Sequence, residues 1–198
     1  PSPTRRSSDL PIAAAEAALR DTVLADTLAA APVPVSVYKD SLLGQAHDAE
    51  GEIIKLSNDK FEVAFTTKGA QPYSVFLKEY KKYGGDDLYL FEPGDAHLGI
   101  QVYAGENINT SDFNFTVAEK TDTSVAMRLP FTGGGYIEQR YSTAEGSYSV
   151  NNTLSFIGME TVIPKNVFSF DIDCIVTLPR MEKGYKNESQ YSKLDYYF

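Results

Sequence analysis

"VFSFDIDCIVTL", residues 167–178, sets its apolar side chains at every second position. Phe168, Phe170, Ile172, Cys174, Val176 and Leu178 take one side, and Ser169, Asp171 and Asp173 take the other. A period of two belongs to a β-strand, whose successive side chains point to opposite faces, whereas a helix repeats every 3.6 residues. The stretch therefore predicts a strand with one face on a core and one face in water. Cys174, on the apolar side, is expected to be buried.

The same period recurs along the chain. In "KFEVAFT" (60–66) Phe61, Val63 and Phe65 share a face. "SVAMRL" (124–129) repeats this with Val125, Met127 and Leu129, and "SYSVNNTLSF" (147–156) with Tyr148, Val150, Leu154 and Phe156, interrupted by Asn152. Turn-forming clusters such as "SNDK", "TKGAQP", "YGGDD", "EPGD", "TGGG" and "AEG" separate these runs. Thirteen Tyr and eleven Phe add β-favouring bulk. Short strands at this spacing, with no helical segment among them, predict an all-β domain of antiparallel hairpins and meanders, a large sandwich.

The first fifty residues read differently. "PSPTRRSSDL" (1–10) begins without Met, and "TRRSSDL" matches one reading frame of a common sequencing adapter, so residues 1–10 are expected to be non-native and are set aside. Residues 11–31 are alanine-rich, with Ile12, Leu19, Val23, Leu24 and Leu28 roughly on one helical side. A stripe that thin makes a marginal helix in water. "APVPVSV" and "KDSLLGQAHDAEGE" follow, and residues 11–51 as a whole are expected to form a helical or disordered tether ahead of a β domain at 52–198.

Composition excludes several functions. A net charge of -9 argues against nucleic-acid partners, whose affinity rests on Lys and Arg neutralising phosphates. Anionic membrane surfaces are disfavoured for the same reason. One cysteine permits no internal disulfide. No run reaches the roughly 18 to 20 apolar residues of a membrane span; the nearest, residues 11–31, carries Glu16, Arg20, Asp21 and Asp26.

No catalytic constellation emerges either, and no cofactor or metal is expected. The only histidines are His47 in the tether and His97 in the loop after "EPGDA". Neither joins Cys or carboxylates at metal-ligand spacing, and no nucleophile elbow or phosphate-binding loop is present. "TGGGY" (132–136) leads into a strand pattern rather than the helix an anion site needs, and reads as a hairpin loop. Asp171 and Asp173 share one strand face and read as its solvent side. The sequons at Asn109, Asn114, Asn151 and Asn187 would mark surface loops in a secretory eukaryotic setting, which nothing here establishes. "RMEKGYKNESQYSKLDYYF" (180–198) mixes charge with tyrosine. It fits either an edge covered by long amphipathic side chains or a partner surface.

Taken in order, "NDKFEVAFTTKGAQPYSVFLKEYKKYGGDDLYLFE", "INTSDFNFTV", "SVAMRLPF", "YIEQRYS", "SYSVNNTLSFIGMETVIP" and the closing stretch resemble the large periplasmic domain of the YidC/Oxa family of membrane protein insertases, in its long-domain bacterial type. The resemblance runs over residues 52–198. It implies a β-supersandwich like that of the galactose-mutarotase superfamily, held in the periplasm at the bacterial inner membrane. It also implies that residues 52–198 are the N-terminal portion of a truncated domain, and that membrane attachment comes through helices absent from this chain.

A physical rather than covalent role follows from the resemblance. Moving charged segments through hydrocarbon costs several kcal/mol per charge, and these insertases are understood to lower that cost with a hydrophilic groove among their membrane helices. The partners implied are nascent membrane proteins and accessory subunits of the Sec translocase, without a residue-level docking site. The alternative is a free periplasmic carbohydrate-binding or mutarotase-like protein. A mutarotase needs an acid and a base converging on the sugar, and His97 is the sole histidine placed to serve.

Overall fold

The computed structural model describes residues 38–167, 169–184, 186 and 190. Residues 1–37, comprising the adapter-like stretch and most of the expected tether, lie outside them. So do Phe168 and most of the closing stretch.

Among the described residues eleven strands form three antiparallel sheets. The first is a meander of β1 (Ile53–Ser57), β2 (Phe61–Thr66), β3 (Gln71–Lys81) and β4 (Asp87–Phe91). β5 (Ala96–Tyr103) and β6 (Asn107–Asn109) belong to a smaller sheet, in which the late strand β11 (Asp171–Val176) returns to pair with β5 in the order β11-β5-β6. Another meander, ordered β10-β9-β8-β7, holds β7 (Thr116–Lys120), β8 (Ser124–Pro130), β9 (Tyr136–Ser142) and β10 (Asn151–Ile157).

The period-two readings translate into a shared core. Phe61, Val63 and Phe65 of β2 are buried with Val125, Met127 and Leu129 of β8, and Ile137 and Tyr141 of β9. The rings of Phe65 and Tyr141 lie 4.3 Å apart between two of the sheets. Leu154 and Phe156 of β10 pack on the same cluster. Tyr148 and Val150 stay exposed, because β10 begins only at Asn151.

Residues 38–50 are folded onto this body. Ser41–Asp48 form α1, and Leu43 within it is fully buried in the core cluster. Asp40 caps the helix, its Oδ1 accepting from the backbone N–H groups of Leu42 at 2.8 Å and Leu43 at 3.4 Å.

Asn58, 4% exposed, ties two hairpins together. Its Oδ1 accepts from the N–H groups of Lys60 and Phe61, while Nδ2 donates to Thr143 Oγ1 and to the carbonyls of Ala144 and Ser147. A buried amide with both ends satisfied fixes the β1–β2 turn against the loop after β9.

"TGGGY" is a hairpin loop between β8 and β9, as its sequence predicts. Phe131 N–H donates to Gly135 O at 2.8 Å, and Gly133 and Gly134 take positive φ. Gly135 has a further reason to lack a side chain: a Cβ there would lie 2.5 Å from the carbonyl oxygen of Gly158.

Candidate interaction surfaces

β11 corrects one expectation from the sequence. Its register sets Ile172 opposite Ile100 and Cys174 opposite Leu98, so the apolar residues do lie on the side of the sheet where Ile100 is buried. Yet Ile172 is 57% exposed and Cys174 is exposed rather than buried. Among the described residues β11 is the edge strand of its sheet, with β5 on one side of it. Its alternation records a face that the described residues leave open.

Asp171 and Asp173 lie on the opposite face, Asp171 exposed and Asp173 half-buried, with Asp173 Oδ2 accepting from Gln101 Nε2 at 2.6 Å. That face borders a cavity of about 570 Å³ lined by Gln101, Tyr103, Asn107, Asp112, Phe170 and Asp171, among others. Amides, carboxylates and two half-exposed aromatic rings give it a mixed character suited to polar ligands with an apolar face.

A second groove, about 490 Å³, is apolar. Tyr80 and Tyr148 flank it with ring centroids 6.1 Å apart, over a floor that includes Phe61, Val75, Leu77 and Val150. Tyr148 donates its hydroxyl proton to Glu79 Oε2 at 2.8 Å, and Lys60 Nζ donates to Glu79 Oε1 at 2.9 Å. The Lys60 bond and then the Tyr148 bond hold the Glu79 carboxyl below its ordinary pKa. Sequence reading could not pair these tyrosines, which are 68 positions apart and of which Tyr148 stands in a segment that ends up outside β10.

On β7–β9 a charged cluster forms. Glu138 accepts from Arg128 Nε at 2.7 Å and Arg140 Nε at 3.4 Å, while Arg140 Nη2 donates to Glu119 at 2.8 Å. Burial pushes the Glu138 carboxyl up, but the two guanidiniums outweigh it and the net pKa is lowered. Arg128 also sits 4.6 Å from the centre of the Tyr136 ring.

The histidines remain apart. His47 lies on α1, its Nδ1 2.9 Å from Asp48 Oδ1 and its ring against Tyr38 and Phe113. His97 is not in a loop, as the sequence suggested, but inside β5 opposite Ile175, because the turn closes at Asp95 and pairing resumes at Ala96. No group of three or more metal-ligating side chains occurs among the described residues. Nor is any described helix long and apolar enough to cross a membrane.

Of the sequon asparagines, Asn109 caps a short 3-10 turn, Asn114 accepts from Thr67 Oγ1 at 2.7 Å and Asn151 opens β10. Asn187 lies outside the described residues. The start of the closing stretch leans on the β3–β4 hairpin, with Tyr83 N–H donating to Met181 O at 3.1 Å and Lys183 Nζ 5.3 Å from the Tyr83 ring centre.

Comparison with known proteins gives one consistent result. The chain is 31% identical over 157 residues to the membrane protein insertase YidC of Porphyromonas gingivalis, covering 78% of this chain and 25% of that protein. The YidC of Phocaeicola vulgatus matches at 31% over 157 residues, with 79% and 25% covered. That of Parabacteroides distasonis matches at 28% over 165 residues, with 82% and 25% covered. The chain thus spans about a quarter of the length of the curated relatives it matches. No family model matches it.

Proposed function

The chain is related to the YidC membrane protein insertases over most of its length, and from that premise we propose that its β body is the periplasmic docking domain of such an insertase at a bacterial inner membrane. The observation that carries this is the long colinear match, which supports the insertase family rather than any enzyme class. In this reading the domain binds instead of reacting. It holds periplasmic parts of nascent membrane proteins and contacts accessory subunits of the Sec translocase, while chemistry-free transfer happens among membrane helices.

Both grooves suit that role. Tyr80 and Tyr148 over an apolar floor, and Tyr103 at the mixed cavity, supply rigid contact area at little cost in side-chain entropy. Photocrosslinking tests it: a photoreactive residue placed at Tyr80 or Tyr103 in the insertase should yield adducts with nascent membrane proteins or translocase subunits in cells. Adducts with neither, from a folded and membrane-localised protein, would refute it.

A second reading is favoured by one feature. The cavity beside Tyr103 and Phe170 places aromatic faces next to Asn107, Asp112 and Asp171, a combination that suits neutral sugars. In that reading the chain is a carbohydrate-binding module. Calorimetric titration with hexoses and polysaccharides decides it, since saturable heat supports it and flat traces at millimolar sugar exclude it.

A further inference from the structure

We infer that Glu106 is a positioning residue for the cavity beside Tyr103: bonded to the chain that enters α1, it fixes one wall of the site without lining it. The inference rests on the reading of that cavity as a docking site and concerns what holds it in shape.

The wall is a hairpin. β5 ends at Tyr103 and β6 begins at Asn107, the two stand opposite each other in register, and both line the cavity. Only Ala104, Gly105 and Glu106 lie between them. The turn is closed by Ala104 N–H, which donates to Glu106 O at 2.9 Å, with Gly105 at a φ of 79°. In a connection this short, whatever fixes Glu106 also fixes the two residues that the turn joins.

Three consecutive residues ahead of α1 grip this end of the fold. Lys39 donates its backbone N–H to Glu106 Oε1 at 2.8 Å. Tyr38 meets the fully buried Phe113 edge to face, with ring centroids 4.8 Å apart. Burial first, and then the charges of Asp112 and Glu106, raise the pKa of the Tyr38 phenol. Asp112 itself lines the cavity. Asp40 accepts two hydrogen bonds from Thr132 in the β8–β9 loop. Residues 38–40 therefore tie three loops, 104–106, 110–113 and 131–135, to one helix. That helix is anchored in turn by Leu43 in the core and by Asn114 N–H, which donates to Ala46 O at 2.7 Å.

Glu106 has the chemistry such a link needs. A carboxylate that accepts a backbone N–H makes a charge-assisted bond, roughly twice as strong as a neutral one. The bond spans 67 positions of sequence, so it fixes tertiary rather than local structure. The consequence is pre-organisation: a wall already held in place spares a partner the cost of ordering it.

In the purified 198-residue chain, hydrogen exchange reads the turn at the Ala104 amide, and a fluorotyrosine at position 103 reads the wall through its fluorine resonance. Glu106→Ala removes the acceptor and Lys39→Pro the donor. Each should speed Ala104 exchange at least ~10-fold and shift the fluorine resonance. The double variant should go no further than either single one, because both delete the same bond. Glu106→Gln keeps an acceptor oxygen and should stay within ~3-fold of the parent. The Thr143 amide, bonded to Thr123 O at 2.8 Å beyond the far end of β9, should not change, which separates loosening of the turn from loss of global stability.

Neither readout needs a ligand. Photoadducts formed at Tyr103 in cells should fall in Glu106→Ala, while those formed at Tyr80 hold. A parent without adducts at Tyr103 refutes docking at this cavity and leaves the positioning role to the exchange data. Unchanged Ala104 exchange in Glu106→Ala, additive effects in the double variant, or Glu106→Gln as fast as Glu106→Ala overturns the proposal.

Discussion

Asp40 and Thr132 meet across 92 positions of sequence. Thr132 donates its backbone N–H to Asp40 Oδ2 at 2.8 Å and its hydroxyl to Asp40 Oδ1 at 2.9 Å. The same carboxylate caps α1, so one side chain fastens the helix to the β8–β9 hairpin. Asp40→Ala should cost ~1–2 kcal/mol, the upper end of a cap deletion. Thr132→Val removes only the hydroxyl bond. A double-mutant cycle by urea denaturation should show coupling of at least ~0.5 kcal/mol, and strict additivity would contradict the contact.

Leu43 measures how far α1 belongs to the body. It is completely buried in the core cluster, so Leu43→Ala should destabilise the whole domain by ~2–5 kcal/mol. A change below ~0.5 kcal/mol, the size of an ordinary surface substitution, would show that α1 is not docked in solution.

Removing the Asn58 amide strands donors and acceptors at a buried position. Asn58→Ala should cost ~2–3 kcal/mol. Asn58→Asp should be no better, since a carboxylate cannot donate to Thr143, Ala144 and Ser147 as the amide does. Equal melting temperatures for the parent and both variants would refute this role.

Glu138 makes part of the stability depend on pH. Its folded pKa is lowered, so its contribution is complete above the unfolded value of about 4.3 and is lost as pH falls below that value through the folded pKa. Chemical denaturation at pH 6 and pH 3 should show a smaller acid loss in Glu138→Gln than in the parent. An identical loss would mean the guanidiniums do not favour the charged carboxyl.

Much of the fold was legible because burial and period coincide in the strands that build the core. Phe61, Val63, Phe65, Val125, Met127 and Leu129 alternate and are buried. β11 alternates from Asp171 to Cys174, but alternation reports only that one face is apolar. Whether a face is covered depends on which strand is last in its sheet, a property of topology. The docking of α1 was not legible for a different reason: "KDSLLGQAHD" is polar, with Leu43 as its single fully buried apolar residue. The two grooves join residues far apart in sequence and left no local pattern to read.

The open reading frame itself tests the central claim most directly. Long-read sequencing across the locus should find a frame about four times the length of the matched segment, since the relatives are matched over a quarter of theirs, with apolar spans of about 20 residues encoded on either side of the β domain. A frame that instead closes near Phe198 behind a cleavable signal peptide would contradict the insertase reading and leave the carbohydrate module as the function to pursue.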